Sequence, residues 1–190
     1  MYHFFVEPHQ IGAEEIRIEG ADVNHIRNVL RMKPGEEILI SSREGGDYFC
    51  RVEELEPEYV SAKILEEWEN KELPARIHLF QGLPKGDKME LIIQKAVELG
   101  AYRVVPVSMK RSVVKLDAKK ADAKRKRWNA VSESAAKQSK RSLIPEVEPL
   151  MTYKEAVKEA AGYDMVLLPY ESADGIRQTR DLPASVWPGT

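Results

Sequence analysis

A chain of 190 residues with 43% hydrophobic content is long enough for one large domain or two small ones, and it should fold around a proper core. One cysteine, Cys50, excludes an intrachain disulfide or a multi-cysteine metal site; four scattered histidines without a His-Glu-x-x-His pattern argue against a zinc enzyme. The net charge of −2 hides an imbalance, because residues 1–75 carry 17 acidic and 8 basic side chains whereas residues 110–141 carry 12 basic and 3 acidic. A basic segment of that density can attract phosphate, RNA or anionic lipid. No apolar run approaches the ~20 residues of a membrane span. The opening Met1–Glu7 also lacks the basic start and longer apolar core of a secretory signal, so a reduced, cytoplasmic protein without a membrane partner is expected.

In chain order, His3–Val6, Ile16–Ile18, Glu37–Ser41, Tyr48–Leu55 and Tyr59–Leu65 are short apolar or alternating segments, separated by Pro34-Gly35, Gly45-Gly46 and Pro57. They predict a small, mostly antiparallel β domain. One helix is expected inside it, over Ala21–Leu30, with Val23, Ile26, Val29 and Leu30 as its apolar face. Arg27, Arg31 and Lys33 form the only basic cluster of this acidic stretch, and Cys50, between Phe49 and Val52, reads as a packing residue. Glu66–Pro74, acidic and closed by proline, reads as a linker.

After it, a strand over Ile77–Gln81, a Gly/Pro turn and a helix over Asp87–Leu99 should follow at once. Met89, Ile92, Ile93, Ala96 and Val97 make the helix's apolar face, Asp87 with Glu90 a capping box, and Gly100 a stop. Gly82–Lys88 is not a Walker A loop, since its spacing is wrong and no Ser or Thr follows the lysine. Lys85 and Lys88 so close together suit a nucleic-acid backbone, although a plain strand-to-helix turn explains the stretch as well. A strand over Arg103–Val107 completes a β-α-β unit and implies a parallel sheet. Arg111 follows that strand's carboxyl end, where ligands gather in such sheets. A long helix is expected over Asp117–Gln138, with Trp128, Val131 and Ala135 buried and Lys124–Arg127 forming a collar that is either solvated or RNA-facing. The small and basic residues Ser134–Arg141 close it, including Gln138 and Arg141. A third helix over Thr152–Ala161, with a Thr152/Glu155 capping box and Gly162 as stop, precedes a buried strand at Met165–Leu168.

The motifs H-I-R-N-V-L-R at 25–31, G-L-P-K-G-D-K-M-E-L-I-I-Q-K-A-V-E-L-G at 82–100, K-R-S-V-V-K-L-D at 110–117, R-W at 127–128 and A-K-Q-S-K-R-S-L-I-P at 136–145 resemble the ribosomal RNA small subunit methyltransferase E family. The resemblance runs from about the first residue to Glu171. It implies a PUA-like small β-barrel over residues 1–72 and a SPOUT-type α/β domain with a parallel sheet over residues 73–190, an α+β unit followed by an α/β unit, usually dimeric. It implies methyl transfer from S-adenosylmethionine to N3 of a uridine in 16S rRNA, in the small ribosomal subunit, by positioning and electrostatics rather than a covalent intermediate. Because N3 lies on the pairing edge, the base must be unpaired or turned out. By position, His25 and Arg31 would face RNA on the barrel. Lys85, Lys88, Arg111, Gln138 and Arg141 would contact RNA or line the groove between the domains, and Pro169, Tyr170 and Glu171 would edge the cofactor pocket. The resemblance assigns no catalytic base and no metal.

After about residue 171 the chain departs from the family's Gly-Pro-Glu-Gly-Gly turn and later Arg-Ile-Leu-Arg-Thr-Glu-Thr-Ala segment, which tie the trefoil knot. The expectation is therefore an incomplete knot and weak cofactor binding. The alternative is a non-catalytic RNA-binding module with a residual α/β dimerisation domain.

Overall fold

The computed structural model describes residues 1–43, 45–69, 72–110 and 116–169. A five-stranded sheet, in the order β1-β3-β4-β5-β2, comes first: β1 (Tyr2–Val6), β2 (Glu15–Glu19), β3 (Glu37–Ser42), β4 (Asp47–Leu55) and β5 (Tyr59–Trp68). Its pairs are antiparallel except β1 with β3, which run parallel from Tyr2↔Ile38 to Val6↔Ser42. Strand alternation explains the interior. Phe4 and Val6 point into a core with Ile16, Ile18, Ile38, Ile40, Val52, Val60 and Cys50, while His3 and Phe5 point the other way. Burial pushes the Cys50 thiol up to about 12, so it packs as an apolar group.

The expected ten-residue helix is shorter and wider. Helix α1 spans Ala21–Asn24, and His25–Val29 continues as a π turn in which the Leu30 amide donates to the His25 carbonyl. The widened turn keeps Val23 and Ile26 in the core but leaves Val29 63% exposed, contrary to the expected apolar face. Arg31 then turns the chain with φ +53.

The second sheet is parallel, with β6 (His78–Gly82) beside β7 (Arg103–Ser108), and two short strands, β8 (Glu146–Val147) and β9 (Met151–Thr152), along the far edge of β7. Alternation along β7 again assigns the faces. Val104 joins Met89, Ile93 and Val97 of helix α2 (Lys88–Glu98) and Trp128, Ala135 and Ala136 of helix α3 (Ala118–Ser139) in one core. Val105 and Val107 face Ala156 of helix α4 (Tyr153–Ala160) on the other side. The β-α-β order read from the sequence is present, and Trp128 is the core anchor that its spacing implied. Gly100, at φ +96, ends the turn after α2; an added Cβ there would lie 2.6 Å from Leu73.

Caps divide. Asp117 accepts from the Lys120 amide, and Thr152 with Glu155 forms the reciprocal box ahead of α4. Thr152→Ala should therefore cost about 1 kcal/mol of stability, read as a lower urea midpoint at unchanged slope. The Asp87/Glu90 box is not formed. Asp87 sits at φ −90, ψ 10 rather than in extended cap geometry, and Glu90 is drawn instead to Arg127 at 2.7 Å. Met165–Leu168 is a second correction. The run has no ladder partner among the described residues, and Val166, Leu167 and Leu168 are exposed by 57%, 55% and 82%.

Candidate nucleic-acid interface

Helix α2 runs back along the sheet from the carboxyl end of β6, so the Gly82–Asp87 turn sits at that end. Lys85 and Lys88 project from it, both exposed and neither in an ion pair among the described residues. Such cations are available to a phosphate without first breaking an internal pair. On the β unit, His25 opens the π turn and Arg31 follows it; both are exposed and also free of ion pairs among the described residues.

The collar on α3 is different. Arg125 donates to the Val147 carbonyl at 3.0 Å and pairs with Glu146 at 2.7 Å; Lys126 pairs with Asp122 at 3.1 Å, and Arg127 with Glu90. Lys124 lies over the Trp128 ring, 5.9 Å from its centroid. The densest charge run in the sequence is thus largely neutralised in place.

Arg141 corrects the sequence reading most clearly. It is only 8% exposed, and its guanidinium clamps Glu72 (Nε to Oε1, 2.8 Å) while donating to the carbonyls of Val97 (2.7 Å) and Ala101 (3.1 Å). Those carbonyls sit at and just beyond the end of α2, where the Val97 carbonyl also accepts from the Gly100 amide. Its charge is consumed inside the protein, so it does not line an open groove. Gln138 is exposed near the end of α3. Arg111, Tyr170 and Glu171 lie outside the described residues, as does the departure after residue 171; Pro169 is exposed.

The assigned residues do not gather at one point. Glu90 meets Arg127 near the start of α2, and Val97 meets Arg141 at its end, so α2 and α3 run in the same direction. Lys88 and Gln138 consequently lie at opposite ends of that pair, about 16 Å apart along an 11-residue helix.

The β unit packs on the C-terminal half of α3. Phe5 leaves its own sheet to enter the core with Trp128 and Ala135, and beside it His3 is buried with its Nε2 2.8 Å from Ser41 Oγ. Ser41 donates its single proton to Asp47, so His3 Nε2 donates to Ser41 and Nδ1 is left as an acceptor. Serine is in the middle; the carboxylate does not hold the imidazole, and the trio is not a nucleophile-base-acid array. Among the described residues, His3 Nδ1 and Asp47 Oδ2 are buried without a hydrogen-bond partner. Burial, with smaller contributions from Lys137 and Lys140, lowers the His3 pKa to about 4. Sequence reasoning missed this seam. Its available signal was Phe4-Phe5-Val6, apolar on both faces of one strand, which marks burial on both sides.

Two adjoining cavities, of about 630 and 450 Å³, open along the seam and the amino ends of β6 and β7. Arg43, Arg125, Lys126, Asp122, Glu133 and Glu146 line the larger one, three charges of each sign. Arg103, held by His78, Glu148, Glu159 and Tyr163, lines the other. Neither includes the carboxyl ends of the parallel strands or Pro169, and paired arginines and carboxylates do not suit a sulfonium nucleoside. Of the three residues that the sequence resemblance implies for the edge of the cofactor pocket, only Pro169 is described.

Residues 71–185 match the family model of an RNA methyltransferase domain, and residues 18–65 that of an RNA methyltransferase PUA domain. The chain is 39% identical over 178 residues to a ribosomal RNA small subunit methyltransferase E of Bacillus subtilis, covering 91% of this chain and 69% of that protein. It is 30% identical over 164 residues to the Mycobacterium bovis protein of the same name, covering 84% and 63%. The crystal structure of a ribosomal RNA small subunit methyltransferase E from Neisseria gonorrhoeae bound to S-adenosyl methionine superposes with a TM-score of 0.72 at 34% identity, over 84% of this chain and 66% of that one.

Proposed function

This chain belongs to the ribosomal RNA small subunit methyltransferase E family, and from that premise we propose that it acts in S-adenosylmethionine-dependent methylation of N3 of a uridine in 16S rRNA. The single observation that carries the RNA part is the contrast among its cations. Lys85, Lys88, His25 and Arg31 are exposed and free of ion pairs among the described residues, whereas the collar arginines and Arg141 are held by carboxylates. These four, assigned to RNA by resemblance, are thus free to meet it, as Arg141 is not. Gln138 joins them as a neutral contact, and Arg111 by its position after β7. Pro169, Tyr170 and Glu171 are proposed as the edge of the cofactor pocket.

The division of labour follows at residues 72/73. The β unit grips RNA at a distance, while the carboxyl end of the parallel sheet receives the reacting base. S-adenosylmethionine supplies the methyl group when bound. What this chain's own residues do is neutralise and orient the backbone: two separated groups of cations require an RNA that reaches across at least the length of α2. A dimer is supported by the apolar side chains left outward on and beside α4, Tyr153, Val157 and Val166–Leu168. An rRNA substrate places the protein in the cytoplasm.

The deciding experiment offers S-adenosylmethionine and 16S rRNA in small subunits to the full chain and maps N3-methyluridine by mass spectrometry. Methylation supports the enzyme; rRNA binding without transfer supports the non-catalytic module. In the same assay, Lys85→Gln with Lys88→Gln should weaken rRNA binding and lower its salt slope by about two. An unchanged slope would remove this turn from the interface.

A further inference from the structure

The seam between the two units is crossed by an unbroken series of alternating charges. Glu7 pairs with Arg43 at 3.1 Å, Arg43 with Glu133 at 3.6 Å, Glu133 with Lys137 at 3.2 Å, and Lys137 with Asp22 at 3.3 Å. Three of the five residues come from the β unit and two from α3. The members grow less exposed toward the Lys137–Asp22 end, whose side chains are 26% and 25% accessible. Lys137 is the only cation touching Asp22 among the described pairs, and it also holds Glu133, so its loss removes that partner from Asp22 and leaves Glu133 with Arg43, breaking the series at the seam. With two cations against three anions the series carries a net −1, which repels phosphate and makes it a fastening rather than an RNA contact.

Its placement gives it a consequence for recognition. Asp22 lies one helical turn before His25, and Lys137 precedes Gln138. The bond between them therefore joins the RNA-facing π turn to the end of α3, while Lys85 and Lys88 stand at the other end of the helical layer. Phe5 supplies the apolar pivot and the charged series limits rotation about it.

We propose that Lys137 is a positioning residue, which fixes the β unit on α3 and thereby sets the spacing between the two groups of RNA-facing cations. This rests on the rRNA reading above for its functional half and on the seam alone for its structural half. Lys137 touches no substrate; it acts through Asp22 and Glu133.

The test uses the full chain with Lys137→Gln, Asp22→Asn, both together, and Lys137→Arg. Amide hydrogen exchange in β1 and the C-terminal half of α3 should accelerate roughly two- to five-fold in Lys137→Gln. Exchange at Val60 and Ala62, deep in the β core, should stay at the parent rate. Lys137→Arg should restore the parent pattern, and the double variant should fall short of the product of the singles. Affinity for a 16S rRNA fragment spanning both units should drop by a similar factor in Lys137→Gln, with the salt slope unchanged because no phosphate contact is lost. Unchanged seam exchange in Lys137→Gln overturns the proposal, as does a loosened seam with undiminished rRNA affinity or a failure of Lys137→Arg to restore it. If the parent itself does not bind the fragment, the rRNA reading and the functional half fall together, while the exchange arm still decides whether Lys137 fastens the seam.

Discussion

Arg141→Met is expected to lower unfolding stability by about 3–5 kcal/mol, because it removes one partner of a buried ion pair and leaves the Glu72 carboxylate and the carbonyls of Val97 and Ala101 without this donor. The side chains of Arg141 and Glu72 are 9% and 14% accessible, so water cannot readily replace the guanidinium. Glu72→Met together with Arg141→Met should cost less than Arg141→Met alone, since an apolar pair carries no charge to desolvate. Urea unfolding of the three proteins provides the measurement. A loss below about 1 kcal/mol in Arg141→Met would mean that the clamp is solvated and that Arg141 is free for RNA after all.

Acid should destabilise the protein through His3. The imidazole is neutral in the fold, with its pKa lowered from 6.5 to about 4 by burial first and by Lys137 and Lys140 second. Above pH 6.5 neither the folded nor the unfolded chain protonates it, and no stability is at stake. Between pH 6.5 and about 4 only the unfolded chain takes the proton, so stability falls as pH falls, at up to about 1.4 kcal/mol per pH unit and roughly 3 kcal/mol in all. Below that window both states are protonated and the loss levels off. His3→Gln keeps a donor for Ser41 without a titrating ring. Its stability should therefore decline less than the parent's over the same range, and parallel pH curves for the two proteins would refute the assignment.

How far the residues announced these results depends on whether the deciding neighbour was near in sequence. The apolar run His3–Val6, the alternation in Tyr59–Leu65, and the 3.6-residue spacing of Met89, Ile93 and Val97 were local signals, and the corresponding strands and helix are present. The Thr152/Glu155 box formed because nothing else competes for Glu155, whereas Glu90 has Arg127 within reach and its box is lost. No local pattern could show that, because Arg127 approaches from 37 positions away. The same distance in sequence hid the fate of Arg141, which looked like a basic helix end and is a clamp on Glu72. Lys85 and Lys88 drew notice by their closeness in the Gly/Pro turn, and the family motifs added His25 and Arg31. Their availability, in contrast to the collar's internal pairing, became visible only when the carboxylates were placed. Lys137 escaped notice because a single lysine in a basic segment carries no signal until Asp22 is brought beside it.

The position of Phe5 has a bearing on the order in which the chain is made. Strand β1 leaves the ribosome well before α3, and its inward residues find β3 within the next few dozen positions. Phe5 must wait for Trp128 and Val147, more than a hundred residues of further synthesis. A nascent β unit can thus form its own five-stranded sheet while still displaying an aromatic side chain to solvent, and docking on α3 withdraws it only once α3 has emerged. Vectorial synthesis thereby makes the β unit a template on which the later α/β layer comes to rest.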